Sequence, residues 1–183
     1  SKMDSWLDDM DNYVSHDGAF YMRKWNDYIQ IRIKNQIYPH CIGITIPFEK
    51  LENYYSKANP DQQVHTEYIE YSLGYAYKTL QFDYGIDDLS FPNPSLGHPR
   101  CEFRIIVDSC DSNGFVSSTQ NHLFDTDWLN YRCCSRRTPE MDVSQCETVR
   151  ITVMWRFYVR QNGPIAFYLV IATPLLRAAK YSK

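Results

Sequence analysis

Glycine is scarce in this chain, with 7 in 183 residues and none of them clustered. That scarcity excludes the glycine-rich loops that cradle phosphates, where the backbone must come too close to the ligand for a side chain to fit. The motif for a serine nucleophile, G-x-S-x-G, is absent, and so is H-E-x-x-H for zinc-assisted hydrolysis. No apolar run reaches the about 18 residues that a membrane-crossing helix needs, so no membrane span is expected. Charge of one sign is also lacking: 19 basic and 22 acidic residues leave −3 at pH 7. A nucleic-acid binder carries a basic stripe, so no nucleic-acid partner is expected. Paired C-x2-C spacing is missing, which argues against structural zinc; neither a metal nor a cofactor is expected. Asn93-Pro94-Ser95 fails as a glycosylation acceptor because of its proline.

What the chain does contain reads as one globular domain, residues 1–183, with 44% hydrophobic and 22% charged residues. Aromatics reach 15%, including 15 Tyr, a surplus that suits sheet faces and binding surfaces alike. Six cysteines are present: Cys41, Cys101, Cys110, Cys133, Cys134 and Cys146. An even set favours disulfides, an oxidising compartment and hence a secreted, extracellular protein. The expectation is three bridges and no free thiol. Spacing alone leaves the pairing open, since six cysteines allow about 15 connectivities. The acidic first ten residues do not read as a leader, so the secreted reading takes the chain as mature.

The clearest pattern is at residues 149–172. Val149, Ile151, Val153, Trp155, Phe157 and Val159 alternate with Arg150, Thr152, Met154, Arg156, Tyr158 and Arg160. Asn162-Gly163 follows, a dipeptide that supplies the positive backbone angles of a tight turn, and then a second apolar run from Ile165 to Ala172. This predicts a long antiparallel hairpin with the three arginines on an exposed polar face. Strands are also expected at 28–34 and from Cys41 to Ile46. Helices are expected at 4–14, 48–57 and 60–81, the last starting at Asn59-Pro60 with Val64, Tyr68, Tyr71 and Tyr75 as a core stripe. Residues 100–110 fit both periods, and Pro99 with Gly114 tips them towards helix. Residues 111–146 read as a stapled excursion, and the segment after Pro174 as a short helical tail. The predicted class is therefore α+β: an antiparallel sheet with a C-terminal β-hairpin (149–172), packed with a few helices and stapled by disulfides.

Candidate contacts come from aromatics on loops, which make good anchors for a partner or a sugar ring. They are Phe91 and His98 in the Pro-rich loop 83–99, and Phe124 and Trp128 in the excursion. His122 with Asp125 or Asp127 forms the alternative, an acid–base group for a secreted hydrolase or nuclease. Asp87-Asp88 reads as a solvated turn. His40 and Cys41, adjacent on a strand, point to opposite faces and do not form a nucleophile pair.

Ile105-Ile106-Val107-Asp108-Ser109-Cys110-Asp111, flanked by cysteines, resembles a stretch found in small secreted fungal proteins of the effector type. The resemblance implies a disulfide-stapled, non-catalytic protein that binds a protein or glycan of a host or cell wall. The expected function is such an interaction protein.

Overall fold

The computed structural model describes residues 3–15, 19–45, 64–90, 101–111, 113, 116, 121–130, 135–157 and 168–179. Among them there is no α-helix, only two 3-10 turns, Leu7–Asp9 and Asp88–Ser90. The strands are β1 (Ser5–Trp6), β2 (Asn12–Ser15), β3 (Phe20–Met22), β4 (Arg32–Ile33), β5 (Gln36–Ile37), β6 (Cys41–Thr45), β7 (His65–Ser72), β8 (Tyr77–Ile86) and β9 (Cys101–Cys110). Six more follow: β10 (Phe124–Asp125), β11 (Leu129–Asn130), β12 (Arg136–Arg137), β13 (Met141–Asp142), β14 (Thr148–Phe157) and β15 (Tyr168–Ala178). The α+β expectation is overturned: the chain is a β-sandwich.

One sheet has seven strands, ordered β12-β8-β15-β6-β3, with β1 on β15 and β13 on β8. The other has six, ordered β10-β9-β14-β7-β2, with β11 on β9. The predicted hairpin of 149–172 does not form. Its two halves are the central strands of opposite sheets: β14 lies between β7 and β9, and β15 between β6 and β8. Alternation shows which face a strand buries and is silent on which sheet it joins. The Asn162-Gly163 turn lies outside the described residues.

The same mechanism overturns the helix at 60–81. His65, Glu67, Ile69 and Tyr71 alternate inward along β7, Gly74 and Tyr75 turn the chain at φ 55° and 60°, and β8 crosses to the other sheet. Gly74 marks a turn that a helix interior would not need. Residues 100–110 are strand β9, residues 4–14 hold β1, a 3-10 turn and part of β2, and the tail through Leu175 continues β15. Pro174 is accommodated at a bulge between Ala172 and Leu175, with Thr173 at φ 53°. The helix expected at 48–57 lies outside the described residues.

The sheets meet through one apolar layer. Val149, Ile151, Val153 and Trp155 of β14 face Leu80, Phe82 and Tyr84 of β8 and Leu169, Ile171 and Leu176 of β15 in a single cluster. The seven-stranded sheet is also covered on its outer side. Trp25, Ile31, Ile33 and Cys41 pack there on Val170 and Ala172. That second cluster explains why Leu169–Ala172 are buried without alternation. Asp87 fixes the cover and is no solvated turn: it is 1% exposed and accepts from the Trp25 indole (3.0 Å) and the backbone N–H groups of Arg32 (2.8 Å) and Leu89 (2.8 Å). Burial pushes its carboxyl upward, against the pull of those donors.

The disulfide scheme also falls, because Cys41, Cys110 and Cys146 are free and buried. Cys41 points its thiol at the Tyr38 carbonyl (3.4 Å) inside the outer cluster, while Cys146 belongs to the layer between the sheets. The seven-stranded sheet lies between these two thiols. Cys133, Cys134 and the side chain of Cys101 lie outside the described residues.

Two expected outcomes follow from this packing. Burial, with the nearby charges of Asp8 and Asp87, pushes the Cys41 thiol up to about 12, and burial lifts Cys110 to about 11. At pH 8 the Cys41 thiolate fraction is on the order of 1 in 10,000, against about 1 in 4 for a free thiol. A thiol reagent at pH 8 leaves Cys41, Cys110 and Cys146 unmodified in the folded chain and modifies all three after denaturation; fast labelling of native Cys41 would contradict the packing. Second, a Cβ at Gly43 would lie 2.5 Å from the Trp25 ring and 2.9 Å from Ile31. Gly43→Ala therefore destabilises by about 1–3 kcal/mol in urea unfolding, and an unchanged midpoint would refute this contact.

Candidate functional site

The outer face of the six-stranded sheet is polar and ordered in rows. With Val149, Ile151, Val153 and Trp155 inward, Arg150, Thr152, Met154 and Arg156 point out. Register places Asp108 and Glu70 on either side of Arg150, Ile106 and Tyr68 beside Thr152, Arg104 and Thr66 beside Met154, and Glu102 beside Arg156. The outward arginines are thus flanked by carboxylates. Arg150 Nε donates to Glu70 Oε1 at 2.6 Å, and Arg156 Nε to Glu102 Oε2 at 2.6 Å. Arg104 makes a two-point contact with Asp125, its Nε at 2.8 Å from Oδ1. Glu70 and Asp108 are each only 6% exposed, so pairing is what makes their charge tolerable there.

Two aromatic rings lie on this face against guanidinium groups. Arg156 sits 4.1 Å from the centroid of Trp128, and Arg150 sits 4.7 Å from that of Tyr68. Six residues of strand separate the two arginines, about 20 Å along β14. Trp128 is set there by a tight local turn. Asp125 Oδ1 accepts from Asp127 N (2.8 Å), Asp127 Oδ1 accepts from Trp128 N (2.9 Å), and Asp127 adopts φ 55°.

Of the two binding candidates among the described residues, Phe124 and Trp128, only Trp128 reaches this face. Phe124 turns inward, opposite Val107, with its ring 6.3 Å from Phe82 and 6.0 Å from Tyr84. Phe91 and His98 lie outside the described residues. The residues of the acid–base alternative have other hydrogen-bond partners: His122 Nδ1 meets Asp108 Oδ1 at 2.5 Å, Asp125 is held by Arg104, and Asp127 caps its own turn. Reasoning from sequence missed Glu102, Arg104, Asp108, Glu70 and Tyr68. Period-two spacing of Glu102, Arg104, Ile106 and Asp108 is the signal that marks them, and a helical period over 100–110 hides it.

A separate acidic group, Asp8, Asp9 and His40, brings ligand-type atoms within 4.8 Å of one another. Arg23 already supplies the positive charge there, with Nε 3.1 Å from Asp8 Oδ2 and a further contact to Asp9. His40 stacks on Trp6 and bonds Asp8, away from the Cys41 thiol, as strand alternation requires.

No protein-family model matches the sequence, and no curated relative matches it. Among solved structures, the chain is similar to the tandem CBM51 modules (carbohydrate-binding modules) of the family 98 glycoside hydrolase from Streptococcus pneumoniae SP3-BS71, with TM-score 0.60 and 12% identity. That match covers 98% of this chain and 48% of the other, so the chain spans about half the length of that structure. A second structure, TmCBM61 in complex with β-1,4-galactotriose, gives TM-score 0.37 and 9% identity over 90% of this chain and 86% of that one, too little to carry weight. The first likeness establishes the fold.

The Arg104–Asp125 contact has a measurable signature. The Arg104 hydrogen bonds hold the Asp125 carboxyl below its ordinary value, with a smaller pull from the Asp127 N–H. A depressed carboxylate adds stability that is complete above its unfolded value near 4 and is lost as pH falls through the lower folded value. Arg104→Met is therefore expected to lower stability by about 1 kcal/mol at pH 7, and the gap to the parent narrows below about pH 4. A gap that stays constant into acid would rule the contact out as the cause.

Proposed function

We propose that this chain is a non-catalytic carbohydrate-binding module that holds its glycan on the outer face of the six-stranded sheet. The observation that carries the reading is the Trp128 ring on Arg156, with Arg156 in turn fixed by Glu102. A sugar presents an apolar C–H face and a rim of hydroxyls that both donate and accept. An aromatic ring meets the first need, and alternating guanidinium and carboxylate groups meet the second. Because the pairs are formed beforehand, few side chains have to be ordered when a ligand arrives. The face is also close to neutral. Glu70, Glu102, Asp108 and Asp125 against Arg104, Arg150 and Arg156 give −4 + 3 = −1 with His122 neutral, which suits a polyol and repels a phosphate backbone. The similarity in fold to carbohydrate-binding modules points the same way.

The engagement of His122 and Asp125 with other partners favours binding over hydrolysis. An extracellular setting has no support from disulfides among the described cysteines. With Cys41, Cys110 and Cys146 unbridged, it rests on the glycan ligand class alone.

A glycan array followed by titration calorimetry on the best hit tests the reading. Trp128→Ala is expected to weaken binding at least about 30-fold, the scale of a hot-spot residue, while thermal unfolding stays near that of the parent. Undiminished binding in both Trp128→Ala and Arg156→Ala removes the face from consideration. A hydrolytic activity abolished by His122→Ala would replace the module reading with an enzyme.

A further inference from the structure

Among the described residues, the uncovered apolar surface is concentrated on one short segment, a turn at 24–30 followed by the β4–β5 hairpin. Five large hydrophobic side chains are exposed among the described residues, and three of them, Tyr28, Ile29 and Ile37, lie within ten residues of each other. Tyr28 is 95% exposed, yet its backbone is tied down. Asn26 Oδ1 accepts from Tyr28 N at 2.8 Å and Ile29 N at 2.9 Å, and Trp25 N donates to Ile29 O at 2.9 Å. Beneath it, Trp25 is anchored to buried Asp87. Beside the Tyr28 ring opens a cavity of about 300 Å³ whose walls include Gln30, Arg32, Asn35, Asp88 and Leu89.

The chemistry of this cavity differs from that of the Trp128 face. Arg23, Arg104, Arg137, Arg150, Arg156 and Arg177 each stand within ion-pair distance of a carboxylate. The Arg32 guanidinium has no acidic partner among the described residues, and neither the Gln30 nor the Asn35 side-chain amide has a hydrogen bond there. Asp88 is held as a fixed acceptor, its two oxygens receiving Lys34 N at 2.8 Å and Asn35 N at 2.7 Å.

We propose that this cavity is a second ligand site that takes one neutral pyranose ring, with its C–H face on Tyr28 and its hydroxyls on Arg32, Gln30 and Asn35. The volume is at the small end of ligand sites and suits a single ring. Arg32 against Asp87 and Asp88 gives +1 − 2 = −1, which disfavours a sugar carrying a carboxylate. The turn that carries Tyr28 is clamped before any ligand comes, so little order has to be imposed on binding. The site lies over the outer side of the seven-stranded sheet, across the sandwich from Trp128, and does not depend on the Trp128 reading.

Two-dimensional amide NMR of the full chain, titrated separately with methyl galactoside, methyl mannoside, methyl N-acetylglucosaminide and an acidic methyl sialoside, tests it. At least one neutral glycoside is expected to shift the amides of Gln30, Arg32 and Asn35 saturably, with Kd near 1 mM. Tyr28→Ala and Arg32→Ala should each weaken this at least about tenfold, and Trp128→Ala should leave it intact. Tyr28 is too exposed for its removal to unfold the chain. The proposal is overturned if no neutral glycoside perturbs these amides, if the sialoside alone does so, or if Tyr28→Ala binds undiminished. Shifts confined to residues 102–108 and 150–156 would overturn it while supporting the Trp128 face.

Discussion

Strand β15 must be buried on both sides, and much of the architecture answers that one demand. Leu169, Ile171 and Leu176 fill the layer between the sheets, while Val170 and Ala172 face outward. An outward Val in mid-sheet needs a second apolar cover, and the chain supplies it from residues 25–33. That cover is a turn leading into the two-residue β4–β5 hairpin, with little structure of its own to stabilise it. It holds because Asp87, just after β8, accepts two hydrogen bonds from it, from the Trp25 indole and Arg32 N, and because Gly43 leaves room for the Trp25 ring.

A charged carboxylate in such a place is costly unless every oxygen is engaged. Asp87 meets that condition with indole and backbone donors; Glu70 and Asp108, on the far side of the molecule, rely on arginine and histidine. The two outer surfaces therefore reach order by different means. One is a lattice of ion pairs on a flat sheet. The other is a backbone-clamped segment in which the side chains of Gln30, Arg32 and Asn35 have no hydrogen-bonding or ionic partner among the described residues.

The sequence made strand positions readable along β14 and at Cys41–Thr45, but not at β7 and β9, whose residues also fit a helical period. Val149 to Phe157 alternate cleanly and form β14 as expected, and Cys41–Thr45 is a strand as expected. It did not reveal partners. Consecutive strands here cross between sheets, as β7 to β8 and β14 to β15 do, and period-two patterns are blind to that choice. The tyrosines misled for a related reason: Tyr68, Tyr71 and Tyr75 satisfy a helical stripe, but Tyr71 is core, Tyr68 lies on the outer face and Tyr75 is in a turn. Cysteine parity misled because a buried thiol packs like a small apolar group, and an even count of such groups carries no pairing information. Trp128 was legible as a loop aromatic. Its neighbours were not, because the ion pairs that fix it join residues 54 positions apart in the case of Arg156 and Glu102.

The bulge at Thr173 and Pro174 divides β15 into a half that pairs with β6 and a half that pairs with β1. In consequence, Ser5 lies opposite Leu176, and Asp4 Oδ1 accepts from Ala178 N at 2.8 Å. The chain thus enters and leaves the sandwich at adjacent points on one edge. Tension applied through both ends would load the two-residue β1–β15 ladder one hydrogen bond at a time, as in opening a zip, and not in parallel shear. Under such a pull this two-residue ladder would part before the longer pairings of β15 with β6 and β8.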